Sequence, residues 1–408
     1  MRGVRPTTML AGLALVLTAC GAAATPEAAD DAVDMDADEP DEPAVTEQEV
    51  ADTEGPGLRE GFYWQTDEVP PSLIDLGEIL SGGPPPDGIP PIDDPVYETV
   101  EDAAGWLTDT SPVMVLRGET ETKVFPLAIM TWHEIVNDSI DGEPAVITYC
   151  PLCNSGLAFS RVLGDHVLDF GTSGRLWRSN LVMYDRQYGN LWSQFTGEAI
   201  VGETFLGEEL ERIPSTLQGF GEVAATDPAA AVLSRDTGFS RDYGRNPYVG
   251  YDAVESDPFL FRGERDGRFP PMTRVVGFPD GDGTAVLLDH LQEQGVVEVA
   301  AAGTPVTRWW VPGQASALDR AHIDSSDDVG QTAAFVREVA GRELTFEPVD
   351  GEEGGVRFRD VETGSGWALS GEAIEGELEG TRLAAVSIDD TFWFVWAVFK
   401  PDTAIVGS

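Results

Sequence analysis

The chain has 408 residues, 72 of them acidic against 25 basic, and a formal net charge of −47. A surface of that sign repels nucleic acid and anionic lipid headgroups, so electrostatics excludes both as partners. Cysteine occurs only at Cys20, Cys150 and Cys153, which excludes a disulfide-stapled miniature fold and calls for an ordinary hydrophobic core.

Arg2 and Arg5 precede MLAGLALVLTA (9–19), an apolar run of signal-peptide length that is too short to span a bilayer. The run ends in LTAC (17–20), which resembles the lipobox of bacterial lipoprotein signal peptides. The resemblance implies that residues 1–19 are removed and Cys20 carries lipid. The mature protein is then tethered to the bilayer of the cell envelope on its extracytoplasmic side. Residues 20–60 read as the tether: 26–60 hold 14 Asp or Glu, one Arg and no aromatic residue, too little apolar surface to offset ordering entropy. The rest of the chain stays acidic, with 58 acidic side chains against 22 basic, and lysine only at Lys123 and Lys400.

From there the pattern is mostly short strands, rich in β-branched and aromatic residues and bounded by Gly, Asn, Asp or Ser. In chain order they are VMVL (113–116), AVITY (145–149), GLAFSRV (156–162), HVLDF (166–170), LVMYDR (181–186) and NLWSQF (190–195). The spacing of Leu127, Met130, Ile135 and Val136 predicts a helix over 126–138, and a second is expected over 219–228 before its proline. RDYGRNPYVGYD (241–252) reads as a turn-rich aromatic connector, and TAVLLDHLQEQG (284–295) as a helix stopped by Gly295.

The most informative pattern is an internal repeat. DRQYGNLWSQFTGEAIVG (185–202) reads against DVETGSGWALSGEAIEG (360–376), pairing Asp185 with Asp360, Trp192 with Trp367 and Glu198 with Glu372. HVLDF matches RELTF (342–346), SPVMVLRG (111–118) matches TRVVGFPD (273–280), and ATDPAAAVL (225–233) matches VFKPDTAIV (398–406). A looser alignment lays VITYCPLCNSGLAFSR (146–161) on PVTRWWVPGQASALDR (305–320), so that Cys150 falls on Trp309, Cys153 on Pro312 and Arg161 on Arg320. The expected fold is α+β, predominantly β, built as two tandem copies of one α+β unit (about 95–235 and 268–408) in a pseudo-twofold relation. The first copy lies within 61–240, the connector spans 241–267, and the second, degenerate copy spans 268–408.

Several stretches carry a resemblance: GIPPIDDP (88–95), WHEIVND (132–138), TYCPLC (148–153), DFGTSGRLWRSNLVMYDR (169–186), LWSQFTGEAIVG (191–202), RDYGRNPYVGY (241–251) and FWFVWAVFKPDT (392–403). Over nearly everything after the tether the chain resembles the domain-of-unknown-function 3179 family of bacteria and archaea. The resemblance implies that the cysteine pair and the Trp-His-Glu triplet are family features, and it implies no activity.

Residues kept in both copies read as demands of the fold; residues in one copy only are candidates for chemistry. Cys150 and Cys153 are the foremost of these, and His133 lacks a counterpart as well. A C-x-x-C pair after a strand can bind a soft ion, exchange disulfides or close a structural clip. No second pair completes a four-ligand zinc site. Cys150, Cys153 and His133, joined by Met183, would suit copper better than calcium or magnesium, so copper or zinc is the expected cofactor if there is one. Redox exchange would need a thiol-exchange partner protein, and NSGLAFSRV reads as turn and strand where a thioredoxin-like motif would have a helix. A redox or metal role predicts sulfurs at an accessible rim; a ligand-binding or scaffold protein with the cysteines as a clip predicts buried sulfurs and a pocket elsewhere, between the repeats. A second candidate is the Gly-rich loop of Ser173, Arg175, Arg178 and Asn180, which could cradle an anion. No catalytic triad, phosphate loop or dinucleotide fingerprint can be read, so enzyme activity has no motif behind it.

Overall fold

The computed structural model describes residues 70–349 and 355–407. The expected signal peptide 1–19, the expected lipidation site Cys20 and the expected tether 20–60 lie outside the described residues. β1 (Ile79–Ser81) and β2 (Tyr97–Thr99) precede the short helix α1 (Val100–Ala103). β3 (Pro112–Arg117) and β4 (Thr122–Pro126) form a buried antiparallel hairpin, followed directly by α2 (Leu127–His133). The helix expected to run to residue 138 stops at Glu134, whose φ of 58° turns the backbone left-handed while its N–H still bonds Met130 O at 2.7 Å. The β-branched run that follows forms β5 (Ile135–Ile140), which pairs with β6 (Glu143–Cys150) across an Asp141-Gly142 turn in which both φ are positive. Two left-handed residues give the turn whose twist matches an antiparallel pair.

β7 (Ser155–Ser160) completes this meander, and the small hairpin of β8 (Val162–Leu163) and β9 (His166–Val167) leads out of it. β10 (Phe170–Trp177), β11 (Asn180–Asp185), β12 (Leu191–Ser193) and β13 (Ala199–Val201) form an antiparallel sheet, with β1 against β10. β14 (Arg212–Ile213) extends β7, and β15 (Ser215–Gly219) pairs with β3. α3 (Phe220–Thr226) is the second expected helix, and β16 (Ala231–Leu233) lies parallel to β4.

The same order of pairings runs through the later residues. β17 (Arg274–Phe278) and β18 (Thr284–Leu287) are an antiparallel hairpin, followed by α4 (Leu288–Gln294), which Gly295 ends at φ 69°. β19 (Val296–Ala301), β20 (Thr304–Val311) and β21 (Gln331–Val336) form a meander, and β22 (Glu338–Val339) with β23 (Arg342–Glu343) a small hairpin. β24 (Phe346–Pro348), β25 (Phe358–Asp360), β26 (Gly366–Trp367) and β27 (Ala373–Glu375) make a four-stranded sheet. β28 (Asp389–Phe392) pairs with β17, α5 (Trp393–Phe399) follows, and β29 (Ala404–Val406) lies parallel to β18. The protein is thus predominantly β, with several sheets and few short helices.

Local details recur with the order. Trp192 Nε1 donates to Asp185 Oδ2 at 2.9 Å, and Trp367 Nε1 to Asp360 Oδ2 at 2.9 Å. Arg161 Nη1 donates to Leu168 O and Arg337 Nη1 to Leu344 O, each at 3.0 Å. These pairs correct the looser alignment. Arg320 lies in a surface loop beside Asp319 and Asp327, whereas Arg337 directly follows β21 as Arg161 follows β7. Trp309 stands opposite Val296 as Thr148 stands opposite Ile135, so the place of Cys150 at the end of β6 is taken by Val311 at the end of β20. The four-residue turn after Cys150 gives way to the longer segment 312–330 after Val311.

Both series of elements feed one principal core. Met114, Tyr149, Cys150, Cys153 and Trp192 pack in the same buried cluster as Val275, Phe392, Trp393 and Trp396. Polar contacts cross as well: buried Asp389 receives Arg212 Nη1 at 2.5 Å, and Thr391 Oγ1 donates to Cys153 O at 2.8 Å.

Candidate functional site

β6 delivers Cys150 to the edge of this core, where Pro151–Cys153 form one turn of 3-10 helix. Asn154, at φ 53°, reverses the chain into β7, so no helix follows the pair. Both thiols are free and buried, with the two sulfurs 3.3 Å apart. The sulfurs therefore do not lie at a surface-accessible rim.

The two cysteines differ electrostatically. Burial works against ionisation of Cys150, but the Cys153 side chain and the N–H groups of Leu181, Cys153 and Leu152 more than offset it, and the thiol sits below its usual range. Burial and the adjacent Cys150 push Cys153 well above its usual range, against the opposing Asn180 amide. The pair is asymmetric: ionisation is favoured at Cys150 and opposed at Cys153.

Two residues of the sequence loop close on this pair. Arg178 and Ser179, at φ 56° and 65°, form the tight turn between β10 and β11. The turn brings Ser179 O to 3.4 Å from Cys153 Sγ, and Asn180 Nδ2 also reaches that sulfur at 3.4 Å while donating to Gln194 Oε1 at 2.7 Å. Ser173 instead bonds inward, donating to Val182 O and accepting the Arg175 N–H at a β-bulge. Arg178 turns away to Val398 O at 2.7 Å and lies over Trp177. The loop is therefore divided: Asn180 belongs to the cysteine site, while Ser173 and Arg178 serve the hairpin and its neighbours.

His133 is buried in a different pocket. Its Nδ1–H donates to Pro90 O at 2.6 Å, which leaves Nε2 to accept from the Tyr243 hydroxyl at 2.7 Å. Burial lowers its basicity, against the Pro90 hydrogen bond, and both ring nitrogens are taken. Met183 is buried in the common core, opposite Thr172 and Trp192. Among the described residues no group of three or more His, Cys, Asp and Glu is disposed around an ion, so the expected Cys150, Cys153 and His133 set does not assemble.

The neighbour that sequence reasoning missed is Glu134. It is 8% exposed, and no hydrogen bond to its carboxyl is found among the described residues. Burial, and then the charge of Cys150, push that carboxyl well above its usual range. Its carbonyl accepts the Tyr149 N–H at 2.8 Å, which anchors it beside the residue preceding Cys150. Gly295, in the corresponding place, accepts the Trp310 N–H at 2.9 Å. A glycine where the other series has a buried glutamate in the same left-handed conformation was the available signal.

The connector covers the site. Tyr251 OH donates to Leu152 O at 3.1 Å and accepts the Phe259 N–H at 3.2 Å. Burial, followed by the charges of Glu134 and Cys150, raises the Tyr248 hydroxyl well above its usual range. The connector is held in turn by the segment after β20: Gly250 N–H bonds Asp319 O at 2.6 Å and Asn246 Nδ2 bonds Arg320 O at 3.1 Å.

A family model described as protein of unknown function (DUF3179) matches residues 86–403, and the chain belongs to this family. Comparison with curated proteins and with solved structures returns no match.

Proposed function

We propose that this family member is a membrane-tethered, extracytoplasmic thiol–disulfide exchange protein that works through Cys150 and Cys153, with Glu134 as their proton partner. The observation that carries the reading is the pair of free sulfurs 3.3 Å apart, with the buried Glu134 bonded through its carbonyl to Tyr149, the residue before Cys150. In the step it supports, the Cys150 thiolate attacks one sulfur of a partner disulfide and expels a partner thiolate. The Glu134 carboxyl gives its proton to that thiolate, then as carboxylate takes the proton of Cys153, which attacks Cys150 Sγ. The second partner thiolate leaves, so the partner is reduced by two electrons and the pair becomes a disulfide. Connector displacement must precede the attack, because both sulfurs are covered.

The tether rests on the basic start, the apolar run ending in Cys20 and the acidic stretch behind it. The repeated order of pairings, with its matching Asp–Trp and Arg–carbonyl contacts, supports descent of both halves from one unit. In that reading the second copy has exchanged the cysteine turn for the segment that holds the connector over the first copy's sulfurs. Copper or zinc binding would have to draw on the same two sulfurs.

A second reading, in which the cysteines are a structural clip and the protein binds a ligand elsewhere, is favoured by one observation: Cys150 and Cys153 are buried, at 1% and 0% exposure. Equilibration of the full chain in glutathione redox buffers, with free thiols counted by alkylation and mass, separates the two. Exchange predicts one reversible two-electron transition with the fold intact. A pair that changes state only on unfolding would refute it and leave the clip.

A further inference from the structure

A cavity of 290 Å³ lies away from the sulfurs, walled by β3, β15, β21 and the segments around Leu369 and Arg382–Val386. Alternation along the paired strands places Val115 and Arg117 of β3, and Thr216 and Gln218 of β15, on its wall. Arg117 Nη2 donates to Gln218 Oε1 at 3.1 Å, while Gln218 Nε2 has no partner among the described residues although Gln218 is fully buried. Thr216 Oγ1 is likewise unpartnered. Buried donors in folded proteins nearly always have acceptors, so the wall is short of one.

The charges point the same way. No carboxylate lies within ion-pair distance of Arg117 among the described residues, in a chain with 72 acidic and 25 basic side chains. Asp227 and Glu222 act on it only from further off, while Arg382, on the same wall, repels it. Burial first, then that repulsion, lowers the Arg117 guanidinium to about 10, where it still carries its charge at neutral pH. Among the described residues Arg382 has one ion-pair partner, Glu372 at 3.3 Å, in a half-exposed pair that screens it weakly. Asp141, at the rim, is occupied by the N–H groups of Thr120 and Glu121 and by the Thr120 hydroxyl. Glu119, Ser215 and Ser370 also line the wall, and its apolar part is formed by Val115, Phe335, Leu369 and Leu383.

We infer that this cavity binds a small organic carboxylate with an apolar tail, its head held between Arg117, Arg382 and Gln218 and its tail against Phe335 and Leu383. Two guanidinium groups supply the charge, of which Arg117 has no carboxylate within ion-pair distance among the described residues, and the unpartnered amide supplies a directional donor. The inference goes beyond the thiol reading and does not rest on it.

The test is calorimetric titration of the full chain with hexanoate, and with hexan-1-ol, hexylamine and inorganic phosphate as controls. Hexanoate should bind about tenfold or more tightly than hexan-1-ol, the range expected for hydrogen bonds to a charged group. Gln218→Leu and Arg117→Met should each lose about tenfold in affinity with unchanged circular dichroism. Should Arg117→Met fail to fold, Gln218→Leu decides, since it removes the amide donor and the Arg117–Gln218 hydrogen bond but keeps the Arg117 charge and the strand pairing. Cys150→Ser should bind hexanoate as the native chain does. Absence of hexanoate binding, equal binding of hexan-1-ol, binding of phosphate in its place, or full affinity in folded Gln218→Leu would each overturn the inference.

Discussion

Glu134 and Gly295 end two seven-residue helices at nearly the same backbone angle, φ 58° and 69°, and each carbonyl accepts the N–H of an aromatic residue in a nearby strand. Glycine adopts that angle freely, whereas an L-residue with a side chain pays roughly 1–2 kcal/mol. The strained member is the one whose charge is coupled to a cysteine.

Replacement of Glu134 by Gly should therefore do little harm to the fold. Relief of left-handed strain and of a desolvated carboxyl offsets the extra backbone freedom of glycine, so the net change should lie within about 1 kcal/mol of zero by urea denaturation. Exchange with oxidised glutathione should slow markedly. A loss of several kcal/mol would make Glu134 a structural residue instead.

The same carboxyl sets a pH dependence. Its folded value lies well above the usual 4.5, so the native state holds the proton more tightly than the unfolded chain. That contribution is fully present below pH 4.5 and is lost as pH rises through the folded value. Measured from pH 4 to about 8, the native chain should lose stability relative to Glu134→Gln as pH increases. Parallel curves would show that Glu134 titrates normally.

The connector is the proposed barrier to the sulfurs, and the Tyr251 hydroxyl pins it to Leu152. Tyr251→Phe removes about 1 kcal/mol of hydrogen bonding and should speed labelling of the buried thiols by roughly fivefold, followed with an aromatic disulfide reagent. An unchanged rate would place the route of access elsewhere.

Trp192→Phe and Trp367→Phe each remove an indole N–H from a buried carboxylate, Asp185 and Asp360. Each should cost about 1–3 kcal/mol in chemical denaturation. Comparable losses would fit two copies of one architecture; a neutral effect at either position would not.

Much of the first meander was legible because its signals are local. The strand AVITY, the turn after the pair and the strand GLAFS all follow from β-branched and aromatic content and from Asn154 and Gly156. The helix over 126–138 ran too far because its apolar spacing continues through Ile135 and Val136, and only the backbone reversal at Glu134 separates helix from strand. Helix α5 was illegible for the opposite reason: Trp-Phe-Val-Trp-Ala-Val-Phe is apolar on every face and has no helical period. The cysteine site drew in Asn180 and Ser179 through contacts 26 and 27 residues apart, which spacing cannot reveal. His133 misled because its partners, Pro90 and Tyr243, lie 43 and 110 residues away. The alignment of Cys150 with Trp309 slipped by two positions because segment 312–330 stands where the first series has only a short turn.

Mixed-disulfide trapping tests the asymmetry of the pair most directly. Cys153→Ser and Cys150→Ser, each as the full chain, are incubated with oxidised glutathione and the adducts located by peptide mass. Exchange through a poised Cys150 predicts a stable glutathione adduct on Cys150 in Cys153→Ser, and far slower labelling of Cys153 in Cys150→Ser. Equal labelling of the two sulfurs, or no adduct on either while the fold is intact, would contradict it.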